Sequence, residues 1–492
     1  MAMSFFDINL DEKEYIDNWY RYYKLDDEHI VVMTDSGSWV SLSEDEFRLL
    51  RHGKIKEDPS LFRILEEKLI ILTKSNAQKA VRDYTERYHF LFRGPTLHII
   101  TPTMRCNQRC VYCHSRSEPD SSEGFDMDED TARKTVDFIL SMPLQSLTIE
   151  FQGGECLLNY DILRTVISYA TEKAKQINKD VRFDLVTNLT KMDDSILKEL
   201  AKYQRPGKRP RVGICTSLDG PKEVHDKNRM YLGGSGSYDD VIYWIKRIKE
   251  DYKGMFFINA LPTITKNSLS FGKEIVDEYV SLGLKNIWLR YLHNLGYASD
   301  SWSKIGYAPE EFLSFRKETL DYIINENQDI REMSATILLQ KILNKQDPVF
   351  VDLMSPCGAG IGQLLYNYKG DIHTCDEGKL YEMFRLGNVK TNKYQDIFRT
   401  KTLEAMVDIS SKLPLLCDAC SWYPYCGVCP VLSYASTGNI IPKVTHDYRC
   451  KIFEEEIKDT FRRLLISPKD RCIIMKWILS EPPKPEDVPQ HT

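Results

Sequence analysis

The sequence has few of the features that mark membrane, exported or nucleic-acid-binding proteins. No run in its 492 residues approaches the roughly 18 uncharged apolar residues of a membrane-spanning helix. Residues 1–20 are acidic and lack a basic segment followed by an apolar one, so we expect a cytoplasmic protein with no secretory signal and no membrane partner. The 66 Lys and Arg residues are outnumbered by 72 Asp and Glu residues, which argues against a nucleic-acid-binding surface.

Cysteine is too sparse for a disulfide-rich scaffold, but it is unevenly placed. The chain has 13 cysteines, well below the roughly 8–10% of residues that is typical of such scaffolds. Ten of them fall into two groups: Cys106, Cys110 and Cys113, and then Cys357, Cys375, Cys417, Cys420, Cys426, Cys429 and Cys450. Such crowding in a chain expected to stay in a reducing compartment favours metal ligation over disulfide bonds.

A small α+β unit is predicted over residues 1–92. Apolar runs at 29–34 and 39–42 flank a short Asp-Ser-Gly-Ser turn, which indicates a β-hairpin. Ser43 and Glu46 have the spacing of a capping box, which predicts the start of a helix.

The next two hundred residues alternate between strand-like and helical patterns. The strand-like runs are 97–101, 147–151, 182–187, 212–217, 255–261 and 287–291. Between them, apolar residues recur at helical spacing, as at Ile162, Val166 and Ala170. Regular alternation implies right-handed crossovers and a parallel sheet. We therefore predict an α/β fold, a partial (β/α)6 barrel of the TIM type over residues 93–300, with its active site at the C-terminal ends of the strands.

Three further segments are expected after the barrel. A helical bridge covers 301–350, and a cysteine-rich domain covers 351–470 and ends in an amphipathic helix with Phe453 and Phe461 on one face. Residues 471–492 form a proline-rich tail that we predict to be disordered.

The first cysteine group lies directly after the first predicted barrel strand, as Cys106-Asn-Gln-Arg-Cys110-Val-Tyr-Cys113. Three thiolates can converge on one cluster, whereas a [4Fe–4S] cluster normally takes four. One iron would then keep an open position, as catalytic metals generally do. The alternative is a structural zinc site completed by His114, which the position after a barrel strand disfavours.

This spacing, with Tyr112 before the last cysteine, resembles the signature of the radical S-adenosylmethionine (SAM) superfamily. The resemblance implies that the open iron chelates the amino and carboxylate groups of SAM, and that one-electron cleavage of SAM yields a 5′-deoxyadenosyl radical. It also implies that the ends of the next three strands contact SAM.

The contacts that the resemblance implies are specific. Gly153, Gly154 and Glu155 would approach the methionine amino group, with Glu155 as an acceptor for its ammonium. Asn188 would contact the ribose, and Ser217 and Arg229 would hold the carboxylate. Taken singly, each of these residues is most often a turn, cap or surface residue, so the assignment depends on their order along successive strand ends.

The second cysteine group resembles the SPASM domain, a C-terminal iron–sulfur extension of radical SAM enzymes that act on peptides and proteins. The resemblance implies two auxiliary [4Fe–4S] clusters, and hence three clusters in all. The outer cluster would be held by Cys417, Cys420, Cys426 and Cys450, and the inner cluster by Cys357, Cys375 and Cys429. One departure is the last pair, which is C-x2-C where C-x3-C is usual.

Seven thiolates leave the inner cluster one ligand short. No cysteine lies between Cys215 and Cys357, so the inner cluster takes a non-cysteine ligand or keeps an open iron, and we hypothesise an open iron facing the substrate. A zinc ribbon is disfavoured, because five residues separate the two CxxC pairs instead of about 15–20.

Asp376 follows directly after Cys375. In sulfatase-maturing relatives the equivalent aspartate is a candidate base, and the resemblance implies the same role for Asp376. A carboxylate shielded beside a cluster is expected to have a raised pKa suited to that task. The alternative is an ordinary hydrogen-bonded turn residue.

Longer segments extend the resemblance to one family. From GPTLHIITPTMRCNQRCVYCH to CSWYPYCGVCPVLSYASTGNI, most of residues 95–465 resemble the radical SAM/SPASM maturases of His-Xaa-Ser-type peptide systems. The implied activity is removal of a side-chain hydrogen, at Cβ, from a ribosomally made precursor peptide, followed by an intramolecular cross-link. We favour a cyclophane-type carbon–carbon bond, with a flavodoxin- or ferredoxin-type protein as electron donor.

The N-terminal unit loosely resembles the winged-helix peptide-recognition element of peptide maturases. That resemblance implies that residues 1–92 bind a leader segment by strand pairing; the alternative is a structural cap on the barrel. The other functions considered are a formylglycine-generating sulfatase maturase, a non-catalytic iron–sulfur electron-transfer protein and a zinc-stabilised scaffold.

Overall fold

The structure is a computed structural model and describes residues 14–205, 210–326, 329–345, 354–411, 415–443 and 447–479. Most of the predicted proline-rich tail, from residue 480 onward, lies outside the described residues, as do residues 1–13. Among the described residues, no helix combines the length and apolar character needed to cross a membrane.

The N-terminal unit is built around a three-stranded antiparallel sheet. Its elements are β1 (Ile16–Asp17), β2 (Tyr20–Lys24), β3 (Ile30–Thr34), β4 (Trp39–Leu42), α1 (Glu44–Arg51), α2 (Pro59–Glu67), β5 (Ile71–Leu72) and α3 (Ala77–Tyr88). The predicted hairpin is the β3–β4 pair, and β2 adds a third strand in the order β2-β3-β4. The predicted capping box is also present, since the Ser43 and Glu46 side chains each accept from the other's backbone amide.

The barrel follows. Its elements are β6 (Leu97–Thr103), β7 (Arg105–Cys106), β8 (Glu118–Pro119), α4 (Glu129–Leu140), β9 (Ser146–Gly153), α5 (Tyr160–Gln176), β10 (Asp180–Thr187), α6 (Asp194–Ala201), β11 (Val212–Ser217), α7 (Lys222–Asn228), α8 (Tyr238–Asp251), β12 (Phe257–Leu261), α9 (Gly272–Ser281) and β13 (Asn286–Ile287). Five strands pair in parallel in the order β12-β11-β10-β9-β6. The sequence-predicted parallel α/β barrel sheet is therefore confirmed.

Alternation along β9 and β10 separates a packed face from a cavity face. On β10, Val181, Phe183 and Leu185 are fully buried in the apolar core, whereas the residues between them are half-buried and face the other side of the sheet. The packed face lies against helices such as α5, whose Leu163, Val166 and Ile167 are buried in the same core. The opposite face is left to line the barrel interior.

The sixth predicted strand differs from expectation. Only β13 is formed within the run predicted at 287–291, and it pairs in parallel with β14 (Arg331–Glu332) in a separate two-stranded sheet. A single parallel bridge between Thr263 and Arg290 continues the barrel edge. The physical reason is side-chain capture of backbone donors: the Leu289 amide donates to the Glu332 carboxylate at 3.1 Å, and the Leu292 amide donates to the Tyr307 hydroxyl at 2.6 Å.

The C-terminal half continues the barrel sheet. Its elements are α10 (Tyr297–Ile305), α11 (Pro309–Asn325), α12 (Met333–Leu343), β15 (Gln363–Tyr366), β16 (Asp371–His373), β17 (Arg385–Asn388), α13 (Tyr394–Ile397), α14 (Lys401–Ser411), α15 (Leu415–Asp418), α16 (Pro430–Thr437), α17 (Tyr448–Leu465) and α18 (Pro468–Met475). β15 pairs in parallel with β6, and β16 and β17 follow as antiparallel strands. The predicted amphipathic helix is α17, and the start of the predicted tail is helical because Arg471–Met475 belong to α18.

Candidate active site

A cavity of about 450 Å³ occupies the barrel interior. Its walls bring together residues that are distant in sequence but were predicted to share a site: Cys106, Cys110, Tyr112, Cys113, Gly153, Gly154, Asn188, Ser217, Arg229 and Asp376. Glu155 is the predicted site residue near SAM that does not line it. Because these residues come from the ends of successive strands, the cavity lies at the edge where a barrel places its chemistry.

The three cysteines of the first group lie in a loop that is closed at its base. β7 pairs with β8 through Arg105 with Glu118 and Cys106 with Pro119. Burial and the neighbouring Cys110 thiol raise the pKa of Cys106 well above its usual value. Burial also raises the pKa of Cys110 to about 12, against the opposing charge of Arg229. These thiols are therefore protonated in the free protein and would release protons when they ligate metal.

A buried carboxylate, Asp219, organises the residues beside this loop. It accepts hydrogen bonds from the Tyr112 hydroxyl at 2.6 Å, from Asn228 Nδ2 at 3.1 Å and from the Thr263 amide at 3.1 Å. It also pairs with Arg229 Nε at 3.3 Å, and the Arg229 guanidinium lies 5.2 Å over the Tyr112 ring. Asp219 stands two residues after Ser217 at the same strand end, but no motif in the sequence marked it as a site residue.

Arg229 and Ser217 both line the cavity, as predicted for the pair that would hold a carboxylate. Arg229 Nη1 lies 3.8 Å from the Cys110 sulfur. One side of the guanidinium is thus fixed by Asp219, while the other reaches the first cysteine group. This arrangement presents a fixed positive charge next to the position expected for a SAM carboxylate.

The backbone packed against the end of β9 leaves no space for a side chain at Gly153 or Gly154. A Cβ on Gly154 would lie 2.1 Å from the Arg105 carbonyl oxygen, and one on Gly153 (φ +135°) would lie 2.3 Å from the Thr103 carbonyl oxygen. The glycines therefore let the end of β9 lie directly against the segment that leads into the cysteine loop.

Glu155 is fully buried between the end of β9 and the end of β10. Its carboxylate accepts from the Leu157 amide at 3.0 Å, the Thr187 hydroxyl at 2.6 Å and the Asn188 amide at 2.7 Å. Burial raises the pKa of Glu155, although these donors oppose the shift. Glu155 therefore ties the end of β9 to the end of β10, while Asn188 itself lines the cavity and donates through Nδ2 to Asn107 at 3.1 Å.

Four thiols of the second cysteine group influence one another's pKa. Burial and the charges of Cys420 and Cys450 raise the pKa of Cys417 to about 11. Burial and Cys420 likewise raise the pKa of Cys426 to about 12 and that of Cys450 to about 11. Four thiols, Cys417, Cys420, Cys426 and Cys450, therefore share one electrostatic neighbourhood.

The remaining three thiols form a second neighbourhood. Cys357, Cys375 and Cys429 pack in one apolar cluster with Phe384 and Val431. Burial, the nearby Glu377 charge and the thiols of Cys429 and Cys357 raise the pKa of Cys375 well above its usual value. Thiols grouped in this way are suited to ligate iron–sulfur clusters, and each thiol would have to lose its proton on ligation.

A single-metal site fits less well. Across the residues that the structure describes, no group of three or more His, Cys, Asp and Glu side chains is close enough to hold one metal ion. All 13 cysteines are free of disulfide bonds.

The Asp376 side chain forms part of the cavity wall. It receives a hydrogen bond from His114 Nε2 at 2.5 Å and pairs with Lys379 Nζ at 2.5 Å. Burial alone would raise its pKa, but Lys379 and His114 hold the pKa of Asp376 well below its usual value. The expectation of a raised pKa was therefore wrong, because it considered burial without the contacts to Lys379 and His114.

Glu150 is a cavity residue that the sequence analysis missed. It lies on β9 with Gln152, which donates to its carboxylate, and it is opposite Asp184 on β10. Burial raises the pKa of Glu150 to about 7, with the charges of Asp184 and Asp376 adding to the shift against the Gln152 hydrogen bond. The signal in the sequence was that Glu150 and Gln152 lie two residues apart on one strand, so that both face the same side, and that Gly153 and Gly154 follow directly.

Comparison with known families agrees with this geometry. The profile of the Radical SAM superfamily matches residues 100–270, and that of SPASM, an iron-sulfur cluster-binding domain, matches residues 357–430. The chain carries a radical SAM domain. A SPASM domain follows it.

Several curated proteins are similar to this radical SAM enzyme. An uncharacterized protein of Methanocaldococcus jannaschii is 29% identical over 189 residues, which cover 38% of this chain and 60% of that protein, less than two thirds of its length. The cysteine-type anaerobic sulfatase-maturating enzyme of Clostridium perfringens is 24% identical, covering 73% and 94% of the two chains. The antilisterial bacteriocin subtilosin biosynthesis protein AlbA of Bacillus subtilis is 23% identical, covering 66% and 65%.

Solved structures share the fold. Native anSMEcpe with bound AdoMet and a Cp18Cys peptide has a TM-score of 0.64 at 22% identity and covers 75% of this chain and 98% of its own. Streptococcus suis SuiB bound to S-adenosylmethionine has a TM-score of 0.52 at 16% identity and covers 87% and 97%. These likenesses confirm the radical SAM fold of the chain.

Proposed function

We propose that this radical SAM enzyme is a maturase that modifies a ribosomally made precursor peptide. The observation that carries the proposal is one cavity that is lined both by Cys106, Cys110 and Cys113 and by Asp376, the residue after Cys375. A substrate side chain in that cavity would lie between the SAM site and the inner auxiliary cluster. Two relatives support the same class: AlbA is named for the biosynthesis of a bacteriocin, and the clostridial enzyme is named for sulfatase maturation.

Each binding residue has a role that its position supports. With SAM and the clusters bound, the cluster of the first group supplies one-electron cleavage of SAM and a 5′-deoxyadenosyl radical. Arg229, held by Asp219, and Ser217 would bind the SAM carboxylate. Gly153 and Gly154 would present backbone groups to the methionine amino group, and Asn188 would contact the ribose. Glu155 would keep the ends of β9 and β10 in register rather than contact SAM itself.

The reaction that we propose is a cross-link within the peptide. One hydrogen atom would leave Cβ of a residue, and carbon–carbon bond formation to an aromatic ring would release one proton and one electron. The proton would pass to a base, and the electron to an auxiliary cluster, so the cyclophane-type product would be about 2 Da lighter than the precursor. A flavodoxin- or ferredoxin-type protein would reduce the clusters.

Asp376 remains our candidate for the base. Its carboxylate lines the cavity, and Lys379 and His114 fix it in place. Once the electron had left, the ring would be a cation whose proton is far more acidic than that of an ordinary side chain, so a carboxylate of low pKa could accept it. His114 connects the carboxylate to the loop of the first cysteine group, which would align it with the radical.

The leader segment of the precursor is proposed to bind the N-terminal unit. Trp19 and Tyr22 support this because they leave 70% and 45% of their surface exposed at β2, which is an edge strand. Exposed aromatic side chains beside a sheet edge are suited to an added peptide strand. One backbone group of β2 is not available to such a strand, because the Tyr22 carbonyl accepts a hydrogen bond from Ser421 Oγ at 2.6 Å.

Co-expression with a short peptide encoded beside the enzyme tests the proposal. We expect mass spectrometry to find a loss of about 2 Da localised to one cross-linked pair of residues. Cys106→Ala should abolish the product and 5′-deoxyadenosine together, whereas Asp376→Asn should reduce the product while 5′-deoxyadenosine still forms. An unmodified peptide from wild-type enzyme that cleaves SAM would contradict the proposed peptide substrate.

A formylglycine-generating sulfatase maturase is the second candidate. It is favoured by the clostridial relative, of which the match covers 94%. A peptide carrying a sulfatase-type Cys or Ser would then become an aldehyde, which a hydrazide probe detects. A cross-linked product from the neighbouring peptide would decide for the first candidate, and an aldehyde for the second. Absence of 5′-deoxyadenosine with either peptide would leave only an electron-transfer role.

A further inference from the structure

The segment that connects the outer-cluster cysteines is held by the N-terminal unit. We define residues 418–425, which run between Cys417 and Cys426 and include Cys420, as the outer-cluster loop. Its first carbonyl, that of Asp418, accepts from Arg21 Nε at 3.1 Å and from Arg21 Nη2 at 3.0 Å. Arg21 belongs to β2, is 7% exposed, and also lies 5.1 Å over the ring of Tyr423.

A second contact secures the other end of the loop. Arg87, on α3, donates through Nη1 to the Ser36 carbonyl at 3.1 Å and through Nη2 to the Pro424 carbonyl. The Tyr425 hydroxyl donates to the Gly37 carbonyl at 3.2 Å, so the β3–β4 turn contacts the loop directly. Arg87 is 5% exposed, and a Cβ on Gly37 would lie 2.2 Å from its Nη1.

The middle of the loop is fixed as well. Ser421 Oγ donates to the Tyr22 carbonyl at 2.6 Å, and the Trp422 ring lies 4.8 Å from that of Tyr23. Trp422 is 2% exposed. Backbone carbonyls turned away from water need a donor elsewhere, and at Asp418 and Pro424 that donor is an arginine of the N-terminal unit.

We propose that the N-terminal unit is a positioning element for the outer auxiliary cluster. By holding both ends and the middle of the outer-cluster loop, it keeps Cys417, Cys420 and Cys426 turned toward Cys450. The inference rests on the proposed assignment of a cluster to these four cysteines. It is independent of which peptide the enzyme modifies.

The test compares two arginines of the same helix in the full chain, reconstituted anaerobically with iron and sulfide. Arg87→Met removes the clamp, and Arg82→Met, on the exposed side of α3, is the matched control. Arg87→Met should contain about four fewer irons per chain, the content of one [4Fe–4S] cluster. It should also exchange deuterium faster across residues 418–425, while SAM alone still yields 5′-deoxyadenosine. Arg82→Met should match the wild type in all three measurements.

A second variant guards against general misfolding. Ser421→Ala combined with Tyr425→Phe removes two hydrogen bonds to the N-terminal unit and introduces no large cavity. If Arg87→Met loses all its iron, the double variant becomes the test of the proposal. Faster deuterium exchange in the outer-cluster loop and a changed electron paramagnetic resonance signal of one cluster would support it. Wild-type iron content and wild-type exchange in the loop of the double variant would overturn it. Failure to modify any peptide would bear on the proposed function alone, since none of these measurements uses one.

Discussion

At the scale of single residues, the site depends on buried carboxylates whose environments differ. Asp219 accepts several hydrogen bonds and stays paired with Arg229, whereas Glu150 has a like charge in Asp184 opposite it. The first is suited to fix neighbouring side chains, and the second to exchange a proton near neutral pH.

Asp219→Asn should weaken SAM binding. The amide cannot balance the charge of Arg229, and hydrogen bonds to charged groups contribute about 1.5–3 kcal/mol each, so we expect the dissociation constant for SAM to rise about tenfold or more. Equilibrium binding to the reconstituted enzyme measures this. Asp239→Asn, at an exposed ion pair with Lys222, is the control and should bind normally. Unchanged binding by Asp219→Asn would show that Arg229 does not need this partner.

Glu150→Gln should change how stability depends on pH. Because the pKa of Glu150 is raised to about 7 in the folded protein, the folded state holds its proton more tightly than the unfolded state. Stability from this group is therefore full at low pH and is lost as pH rises through about 7, by up to roughly 3 kcal/mol. The neutral amide lacks this loss.

The measurement is the thermal unfolding midpoint of the reconstituted protein at pH 5.5 and pH 8. The midpoint of Glu150→Gln relative to wild type should be higher at pH 8 than at pH 5.5. Glu123→Gln, at an exposed position, should show no such difference. Parallel pH profiles for Glu150→Gln and wild type would mean that Glu150 keeps an ordinary pKa.

Residues that carry a spacing or strand-end signal could be predicted from the sequence. Residues whose pKa or position depends on tertiary contacts could not. The cysteine loop, Gly153, Gly154, Asn188 and Arg229 line one cavity as predicted. The low pKa of Asp376 could not be inferred, because His114 reaches it from 262 positions away. The position of Glu155 was likewise decided by Thr187 and Asn188 on the next strand.

At the scale of elements, a buried ionic network joins α11 to α17. Arg316 on α11 contacts Glu456 on α17 at 2.8 Å and Asp459 at 3.5 Å, and lies 3.7 Å from Glu332. The same Glu332 caps α12 and takes the Leu289 amide. One network thus explains why the sixth predicted strand stops short, a result that periodicity alone could not foresee.

Arg316→Met should destabilise the fold strongly. Glu332 and Glu456 would remain buried without their cation, and breaking a buried ion pair in this way costs about 3–5 kcal/mol. Thermal or denaturant unfolding of the full chain would measure the loss. Arg133→Met, which removes an exposed pair with Glu129 on α4, should cost less than about 1 kcal/mol. Equal losses in the two variants would contradict the role given to the network.

At the scale of the whole molecule, one sheet carries both cysteine groups. The first group follows β6, which pairs with β9 on one side and with β15 on the other. In the chain, β15 lies between Cys357 and Cys375. The barrel and the SPASM domain are therefore joined by backbone hydrogen bonds. The alternation of patterns predicted the barrel, but the pairing of β15 with β6 had no local signal.

Cys375→Ala should separate the two chemistries. The variant should lose about four irons per chain, the content of the inner cluster, yet still form 5′-deoxyadenosine from SAM, because Cys106, Cys110 and Cys113 belong to another loop. Iron analysis and chromatography of the nucleoside would check both. Cys472→Ala, on α18 outside either group, should lose nothing. Loss of SAM cleavage in Cys375→Ala would mean that the two groups do not act separately.

The contact between His114 and Asp376 has a consequence for electron movement. His114 follows Cys113, and Asp376 follows Cys375, so the two residues link a thiol of the first group to a thiol of the inner group. That route consists of covalent bonds interrupted by one hydrogen bond of 2.5 Å. If Cys113 and Cys375 each hold a cluster, this contact would offer an electron a bonded route between the two sites.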